Sequence, residues 1–255
     1  MDLETVGRQI REGGLSLDVM FHPSADESAF SLALYEIADR LRKAGGDGVA
    51  LSHGNGEGLP AVPALTVRYP ASGSVNYLAL PQGPEAAPFM ELLASGIPGS
   101  IGIGADAKSC LRELNSPADI VVFISAACPN CPQAVRAASQ LAAADRQINT
   151  TIIDVEVFPR LAERFKIRSV PMTVIDGDLL INEVISARDL AQKIVARRTD
   201  GYRKDAFLSQ VNTGNFAMAA ERLVDEDHAS YFLTAWQKST LSTRIALLLT
   251  ANQAL

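Results

Sequence analysis

The sequence has few cysteines, few histidines and no excess of positive charge, and each shortage excludes a class of protein. Three cysteines among 255 residues are too few for a small secreted domain held together by disulfides. A net charge of −6 and a pI near 5.1 argue against a general phosphate-binding surface, so nucleic acid is not an expected partner. No apolar run approaches the roughly 18 residues that a membrane span needs, so no membrane partner is expected.

The first residues also lack the features of a secretory leader. Residues 1–8 read MDLETVGR, which is polar and amphipathic, without a basic start followed by an apolar centre. We therefore expect a cytoplasmic protein. The length is sufficient for two domains of about 100 residues each, plus an appendage.

A pair of cysteines follows a run of β-forming residues. Ile120–Ile124 is predicted to be a buried strand, and after a tight turn Cys128 and Cys131 stand at the start of a helical pattern. Cysteines three apart on the first turn of a helix lie on one face and can close a small disulfide ring. The free N–H groups and the dipole of the helix start also stabilise a thiolate. Strand, C-x-x-C and helix in this order predict a dithiol–disulfide centre.

The two cysteines are expected to have different roles. Cys128 lies nearer the helix end and is predicted to be the attacking thiolate, while Cys131, one turn further in, is predicted to be the resolving thiol. Pro129 and Asn130 carry no charge, so backbone N–H groups must supply the shift in the pKa of Cys128. No cofactor other than the redox-active disulfide is expected.

Cysteines at this spacing are also half of a zinc site, which is the main alternative from the motif alone. The only other cysteine is Cys110 and the histidines number three, so no clear set of four ligands is present and no metal is expected. Cys110 is predicted to be a buried small hydrophobic residue on a connecting helix, with redox sensing as the other interpretation.

A second candidate element is the pair Val170–Pro171. A proline that opens a predicted strand suits a cis bond in a tight turn, with an ordinary trans proline at an edge strand as the alternative. Beside a dithiol, such a proline leaves the backbone N–H and C=O of Val170 free to pair with an extended substrate segment. Val170 and Pro171 are therefore candidate substrate-binding residues.

The order of predicted elements occurs twice. Residues 15–93 predict β-α-β followed by a proline and β-β-α, and residues 120–197 predict the same order. The first copy contains no cysteine. Its His22 is predicted to be a surface turn residue, because no nucleophile other than serine is nearby.

The two copies can be aligned on their first strands. Setting Val19–Phe21 on Val122–Ile124 places Ala25 and Ser28 at the positions of the two cysteines. The same alignment brings Val62–Pro63 close to the position of the later Val–Pro pair. This agreement predicts tandem copies of one fold.

The quoted motifs resemble those of a known family. The runs Cys128–Pro132 (CPNCP), Ile153–Asp154 and Ile167–Val174 resemble the N-terminal domain of the alkyl hydroperoxide reductase flavoprotein and the glutaredoxin-like protein disulfide oxidoreductases. Both families pair two thioredoxin folds, and in the flavoprotein the first fold has lost its cysteines. The resemblance covers roughly residues 1–198. It implies nucleophile and resolving roles for the two cysteines and a cis-proline contact at the Val–Pro pair.

Two features of thioredoxin itself are missing from the motif. Ala127 stands where thioredoxin has a tryptophan, and Val122 stands where it has an acidic residue. Proton transfer must then involve water or another group. No flavin or nicotinamide domain follows residue 198, so the resemblance implies that electrons come from a separate protein.

The predicted fold class is α/β, with two tandem thioredoxin-like folds followed by a small all-helical C-terminal module. The predicted parts are a degenerate thioredoxin-like domain at 1–100, a connector helix at 101–117, the Cys-Pro-Asn-Cys domain at 118–198 and the helical module at 199–255. In the last predicted helix, the inward face is expected to carry Leu241, Ile245, Leu248 and Leu249.

The predicted function is a thiol–disulfide oxidoreductase or electron relay that acts on protein thiols and disulfides. The resemblance implies a separate flavoprotein reductase and a peroxiredoxin-type acceptor as partners. The alternative is a non-catalytic protein-interaction module in which the cysteine pair is vestigial or regulatory. The intact cysteine pair together with the matched Val–Pro favours the enzyme.

Overall fold

The computed structural model describes residues 2–26, 28–100, 102–225, 229–238 and 240–254. Its strands are β1 (Leu17–His22), β2 (Val49–His53), β3 (Ala64–Arg68), β4 (Ser74–Leu78), β5 (Ala118–Ile124), β6 (Ile148–Asp154), β7 (Met172–Ile175) and β8 (Leu179–Ile181). Its helices are α1 (Leu3–Glu12), α2 (Ala29–Gly45), α3 (Ala86–Ala94), α4 (Ala105–Leu111), α5 (Cys131–Ala144), α6 (Pro159–Arg164), α7 (Ala187–Val195), α8 (Asp200–Thr213), α9 (Phe216–Asp225), α10 (Ala229–Lys238) and α11 (Leu241–Ala254). None of these helices has the length and apolar composition of a membrane span.

The described strands form one mixed sheet in the order β2-β1-β3-β4-β6-β5-β7-β8. Strand β3 is antiparallel to both β1 and β4, and β4 is parallel to β6, which is parallel to β5. The strands β1, β4, β5 and β6 therefore all point the same way. Because their carboxyl ends lie along one edge of the sheet, the loops that follow them meet at that edge.

The strand order is the same on both sides of the β4–β6 junction. Residues 17–78 contribute the order β2-β1-β3-β4, and residues 118–181 contribute the matching order β6-β5-β7-β8. The two sides are joined by backbone pairing in register from Ser74 with Asn149 to Leu78 with Ile153.

Buried apolar side chains pack between the sheet and its helices. The spacing of Phe30, Leu34, Ile37 and Leu41 in the sequence predicts a helix with one apolar stripe that begins near Ser24. The stripe is confirmed in α2, since Leu34, Ile37 and Leu41 are buried in the core. The prediction that this helix begins near Ser24 is wrong. It begins at Ala29, because Ser28 is the residue whose hydroxyl accepts the Ser31 N–H, over 3.2 Å.

A row of polar side chains crosses one face of the sheet. The His22 ring meets the Thr66 hydroxyl (3.1 Å), and that hydroxyl donates to the Asn76 amide oxygen (2.8 Å). The Asn76 amide donates to Asn149 (3.0 Å), which donates to the Asp119 carboxylate (3.1 Å). The row takes one side chain from each of β1, β3, β4, β6 and β5, which are neighbours in the sheet. These five strands are therefore joined by side-chain hydrogen bonds as well as by backbone pairing.

The last four helices follow the sheet, and α8 packs on strand β8. The Ser209 hydroxyl accepts the Leu180 N–H over 3.0 Å, and the Gln210 side chain donates to the Asp178 carbonyl over 3.0 Å. Helix α11 contacts α8 and α9. These contacts attach the C-terminal helices to the cysteine-containing half of the sheet.

The predicted inward face of α11 is wrong. Ile245, Leu248 and Leu249 are 52%, 55% and 47% exposed, whereas Leu247 is fully buried. The helix packs through Leu247 and the buried Thr250, three residues apart, so its most apolar stripe is turned away from α8 and α9. The Leu241 side chain lies outside the described part of the structure.

Candidate active site

The two cysteines lie where strand β5 passes into helix α5, at the carboxyl edge of the sheet. Cys131 is the first residue of α5 and is fully buried, while Cys128 lies in the preceding loop and is 8% exposed. They form a disulfide with their Cα atoms 5.5 Å apart. Cys128 is therefore the sulfur nearer to solvent, as the sequence predicted.

The loop before α5 is fixed by its own hydrogen bonds. The Cys128 N–H donates to the Ser125 carbonyl over 3.0 Å, and the Cys131 N–H donates to the Cys128 sulfur over 3.1 Å. The prediction that both cysteines belong to the first helical turn is wrong for Cys128, because Cys128 ends a separate hydrogen-bonded turn that begins at Ser125 and precedes α5. The sulfur of Cys128 instead accepts one of the free N–H groups of the helix start, which favours a thiolate there.

Acidic and hydroxyl groups border the loop. The Ser125 hydroxyl donates to the exposed Glu156 carboxylate over 2.6 Å, and the Glu156 N–H donates to the Asp154 carboxylate over 2.9 Å. Asp154 is buried at the end of β6, beside Ile124 of β5. Burial raises the pKa of Asp154, against the opposing effect of the Glu156 N–H.

The peptide bond between Val170 and Pro171 is cis, as predicted, and so is the bond between Val62 and Pro63. Strand β7 pairs with β5 from Met172 opposite Phe123 onward, so Val170 and Pro171 lie at the strand entrance next to the cysteine loop. Pro171 is buried and Val170 half-buried. Within the described residues, the backbone N–H and C=O of Val170 take part in no hydrogen bond.

A buried carboxyl group that the sequence analysis missed lies against α5. Glu85 is 3% exposed, and neither of its side-chain oxygens has a hydrogen-bond partner in the described part of the chain. It belongs to the turn Gly83–Glu85 before α3, and this turn packs on α5. Burial raises the pKa of Glu85 to about 7, with Arg136 opposing the rise and Asp154 adding to it.

No local signal in the sequence identifies Glu85 as a site residue. An acidic residue at the start of a predicted helix is ordinarily exposed and stabilises the helix dipole. Its burial results from packing between α3 and α5, which are far apart in the chain. The nearby Tyr77 hydroxyl is fully buried as well, and burial raises its pKa above its usual range.

Two other sequence predictions are wrong in detail. His22 is not a surface turn residue: it lies in β1, is 6% exposed and accepts the Gly56 N–H over 3.0 Å. Its burial lowers its pKa. Cys110 lies on α4 but is only half-buried, and partial burial raises its pKa. Among the described residues, no three His, Cys, Asp or Glu side chains are grouped as metal ligands.

Comparison with known proteins agrees with this architecture. The model of the thioredoxin domain family matches residues 118–195. No curated protein sequence matches the chain. The structure is similar to the NTD_N/C domain of alkylhydroperoxide reductase AhpF from Enterococcus faecalis, with a TM-score of 0.63 and 17% identity over 75% of this chain and 97% of that one.

A second solved structure is similar to the same extent. It is a protein disulfide oxidoreductase from Aeropyrum pernix, with a TM-score of 0.59 and 18% identity over 77% of this chain and 94% of that one. At identities this low, the structural similarity establishes a shared fold and nothing about function. Residues 118–195 therefore form a thioredoxin domain, and the resemblance inferred from the sequence, to the flavoprotein's N-terminal domain and to the protein disulfide oxidoreductases, is confirmed.

Proposed function

We propose that the protein is a thiol–disulfide oxidoreductase that works by dithiol–disulfide exchange at Cys128 and Cys131. The observation that carries this proposal is the 3.1 Å hydrogen bond from the Cys131 N–H to the Cys128 sulfur. The two cysteines form a disulfide, and Cys128 is the more exposed of them. A backbone N–H aimed at sulfur stabilises the thiolate that exchange requires.

The reaction transfers two electrons between the cysteine pair and a client. In the reducing direction, the Cys128 thiolate attacks one sulfur of a client disulfide, forms a mixed disulfide and releases the other client sulfur as a thiolate. The Cys131 thiol then loses its proton and attacks the Cys128 sulfur. The Cys128–Cys131 disulfide forms, and the second client thiolate leaves. The client gains the two electrons that the dithiol loses.

Glu85 is the group that we assign to the proton of Cys131. Its turn packs on the helix that Cys131 begins, and a carboxyl group with a pKa of about 7 exchanges protons readily near neutral pH. It would fill the role that the sequence left to water or another group, since Val122 replaces the acidic residue of thioredoxin. In this role Glu85 acts through Cys131 and does not touch the client.

Val170 is proposed to hold the client segment next to Cys128. Its backbone N–H and C=O have no partner within the described residues, and its half-buried side chain packs on the core, which keeps the backbone in place. An extended segment can pair with such a backbone, as in strand addition. Pro171 contributes by fixing the backbone direction at the strand entrance.

We further propose that residues 1–100 are a second thioredoxin-like fold without cysteines, residues 101–117 a connector and residues 118–198 the active fold. The identical strand order on both sides of the β4–β6 junction supports this proposal. Helix α2 begins at Ala29 and α5 at Cys131, so matching the two helix starts differs by one position from the strand-based alignment, which placed Ser28 at Cys131; neither alignment puts a cysteine in the first copy.

The segment before α2, in the fold without cysteines, is proposed to be part of the surface on which a client docks. Phe30, at the start of α2, packs edge-on against Phe158 with ring centroids 5.8 Å apart. Phe158 follows the loop that carries Glu156, so the start of α2 lies beside the cysteine-containing loop. A client at Cys128 would then contact both copies.

Residues 199–255 are proposed to be a helical module that recruits partners to the active fold. The exposed Leu248 and Leu249 on α11 are consistent with this role. A separate flavoprotein reductase as electron donor and a peroxiredoxin-type acceptor remain the proposed partners, and the cytoplasm remains the expected compartment.

The direct test is insulin reduction with dithiothreitol as the electron donor. The intact protein should accelerate precipitation of the insulin B chain, and Cys128→Ser should reduce the rate to that of dithiothreitol alone. Cys110→Ser is the matched control, because it removes a thiol outside the site and should leave the rate unchanged. Equal turbidity traces for the intact protein and Cys128→Ser would exclude the enzyme and leave the interaction module.

The client can be identified by trapping. Cys131→Ser leaves Cys128 able to attack but removes the resolving thiol, so mixed disulfides should accumulate and be released by dithiothreitol. A double variant that also carries Cys128→Ser is the control. If both variants trap the same proteins after oxidative stress, the captured proteins do not report on exchange at Cys128.

A further inference from the structure

A cleft lies between α3 and α5, at the end of these helices away from the cysteines. Its volume is about 550 Å³, within the range of about 300–1,000 Å³ typical of small-molecule sites. Helix α3 and its C-cap residue Ser95 line it, with Pro88, Glu91 and Leu92 contributed by the helix itself. Helix α5 presents Arg136, Ser139, Gln140 and Ala143. Both sets follow the i, i+3, i+4, i+7 spacing of one helix face.

The cleft exists because small residues occupy these two faces. Ser95 on one side and Ser139 and Ala143 on the other leave the space that larger side chains would fill. The turn Tyr69–Ser72 closes one end, and Leu15 and Ile103 add apolar surface. Most of the lining is therefore apolar.

The polar groups of the cleft favour an anion. Lys108 forms no ion pair among the described residues, and Arg136 uses Nε and Nη2 for Glu91, which leaves Nη1 unpaired within them. The lining thus carries two cations and one carboxylate in a protein with a net charge of −6. The Ser139 hydroxyl is buried and interacts with the Tyr77 hydroxyl, so it is not counted among the ligand-binding groups.

We propose that this cleft binds a small amphipathic anion, with its apolar body between α3 and α5 and its charged group at Lys108 and Arg136. The lining includes neither cysteine nor Val170, so the site is separate from the disulfide and does not depend on the proposed redox function. The ligand class follows from a mostly apolar lining that also carries two cationic side chains.

Two matched fluorescent probes test the proposal on the full chain. The first, anilinonaphthalene sulfonate (ANS), joins an apolar body to an anionic group, and the second, N-phenylnaphthylamine, is the same body without the sulfonate. ANS should bind at one saturable site, about tenfold more tightly than the neutral probe. Equal affinity for the two probes would remove the argument for an anion.

Three variants locate the probe. Lys108→Glu is a surface change and should weaken ANS by about tenfold while leaving the neutral probe unchanged within about twofold. Arg160→Glu, an exposed charge reversal on α6, is the matched control and should have no effect. Ala143→Trp should fill the cleft and abolish binding of both probes.

The exposed apolar stripe of α11 is the competing position for such probes, and it is tested directly. A double Leu248→Ser and Leu249→Ser variant should keep the ANS signal. If that variant loses the signal, or if Lys108→Glu binds ANS as tightly as Arg160→Glu does, the proposed site is wrong.

Discussion

Arg136 and Glu91 join α5 to α3 through two parallel hydrogen bonds, from Nε to Oε2 over 2.6 Å and from Nη2 to Oε1 over 2.9 Å. Both side chains are about one-third exposed. This bidentate pair fixes the spacing of two helices that belong to different halves of the sheet.

Glu91→Gln should lower the free energy of unfolding by about 1 kcal/mol, because a bidentate pair at the surface is worth about that much. The measurement is a urea double-mutant cycle with Arg136→Gln, at low and at high salt. We expect a coupling energy of about 0.5–1 kcal/mol that decreases with salt. Coupling near zero at low salt would mean that the pair does not hold the helices together.

Stability should fall as the pH rises through the titration of Glu85. Its pKa is near 4.5 when unfolded and about 7 when folded, so between these values the folded state binds more protons than the unfolded state. The penalty begins above pH 4.5 and is complete above pH 7. Urea unfolding across this window checks the slope, and Glu85→Gln should remove most of the decline while the other groups titrate as before.

The redox chemistry should report on the same carboxyl group. Glu85→Gln should slow insulin reduction by at least about tenfold near pH 7, in line with the usual contribution of a positioned acid or base. The pH profile of the rate should also lose its inflection near 7. A merely structural role would lower the rate uniformly and keep the inflection, which would contradict the assignment.

Gly73 should tolerate no side chain. A Cβ there would lie 1.8 Å from the Ile148 carbonyl oxygen, a backbone atom that cannot move aside. Gly73→Ala should therefore cost about 2–4 kcal/mol, at the severe end of single substitutions. Gly104→Ala is the matched control, since nothing lies within 4 Å of its Cβ position. Similar urea midpoints for the two variants would contradict the close approach.

The orientation of α11 can be tested with neighbouring leucines. Leu247→Ala should destabilise the helical region by about 2–4 kcal/mol because its side chain is fully buried, whereas Leu248→Ala should change stability by less than about 0.5 kcal/mol. Urea unfolding followed by Trp236 fluorescence is the measurement. The reverse ranking would restore the inward face that the sequence predicted.

Local features were predictable from the sequence, and features that depend on long-range packing were not. The redox loop was predictable because the strand Ile120–Ile124 and the two cysteines, Cys128 and Cys131, lie within twelve consecutive residues. The spacing of Ser186 and Asp189 in the sequence also predicts a helix cap. This prediction is confirmed, since the Ser186 hydroxyl accepts the Asp189 N–H over 3.1 Å.

The predictions that went wrong concerned positions with more than one plausible partner. The apolar residues of α11 fit two different faces, and only the packing on α8 and α9 selects Leu247. The local sequence predicts a turn residue at His22, whereas the fold brings Thr66 and Gly56 into hydrogen-bonding contact with its ring. Glu85 is buried by a helix that begins 46 positions later, which no local pattern can indicate.

The pairing of β4 with β6 also bears on how the chain can be divided. Both strands are interior, and each has its backbone groups occupied by a neighbour on either side. Cutting the chain between residues 100 and 118 and separating the pieces would leave β4 and β6 as unpaired edge strands. Unpaired edge strands can pair with strands of other chains and so promote aggregation. We therefore expect the two halves to unfold as one cooperative unit, with residues 17–78 covering the sheet edge that the cysteine-containing half would otherwise expose.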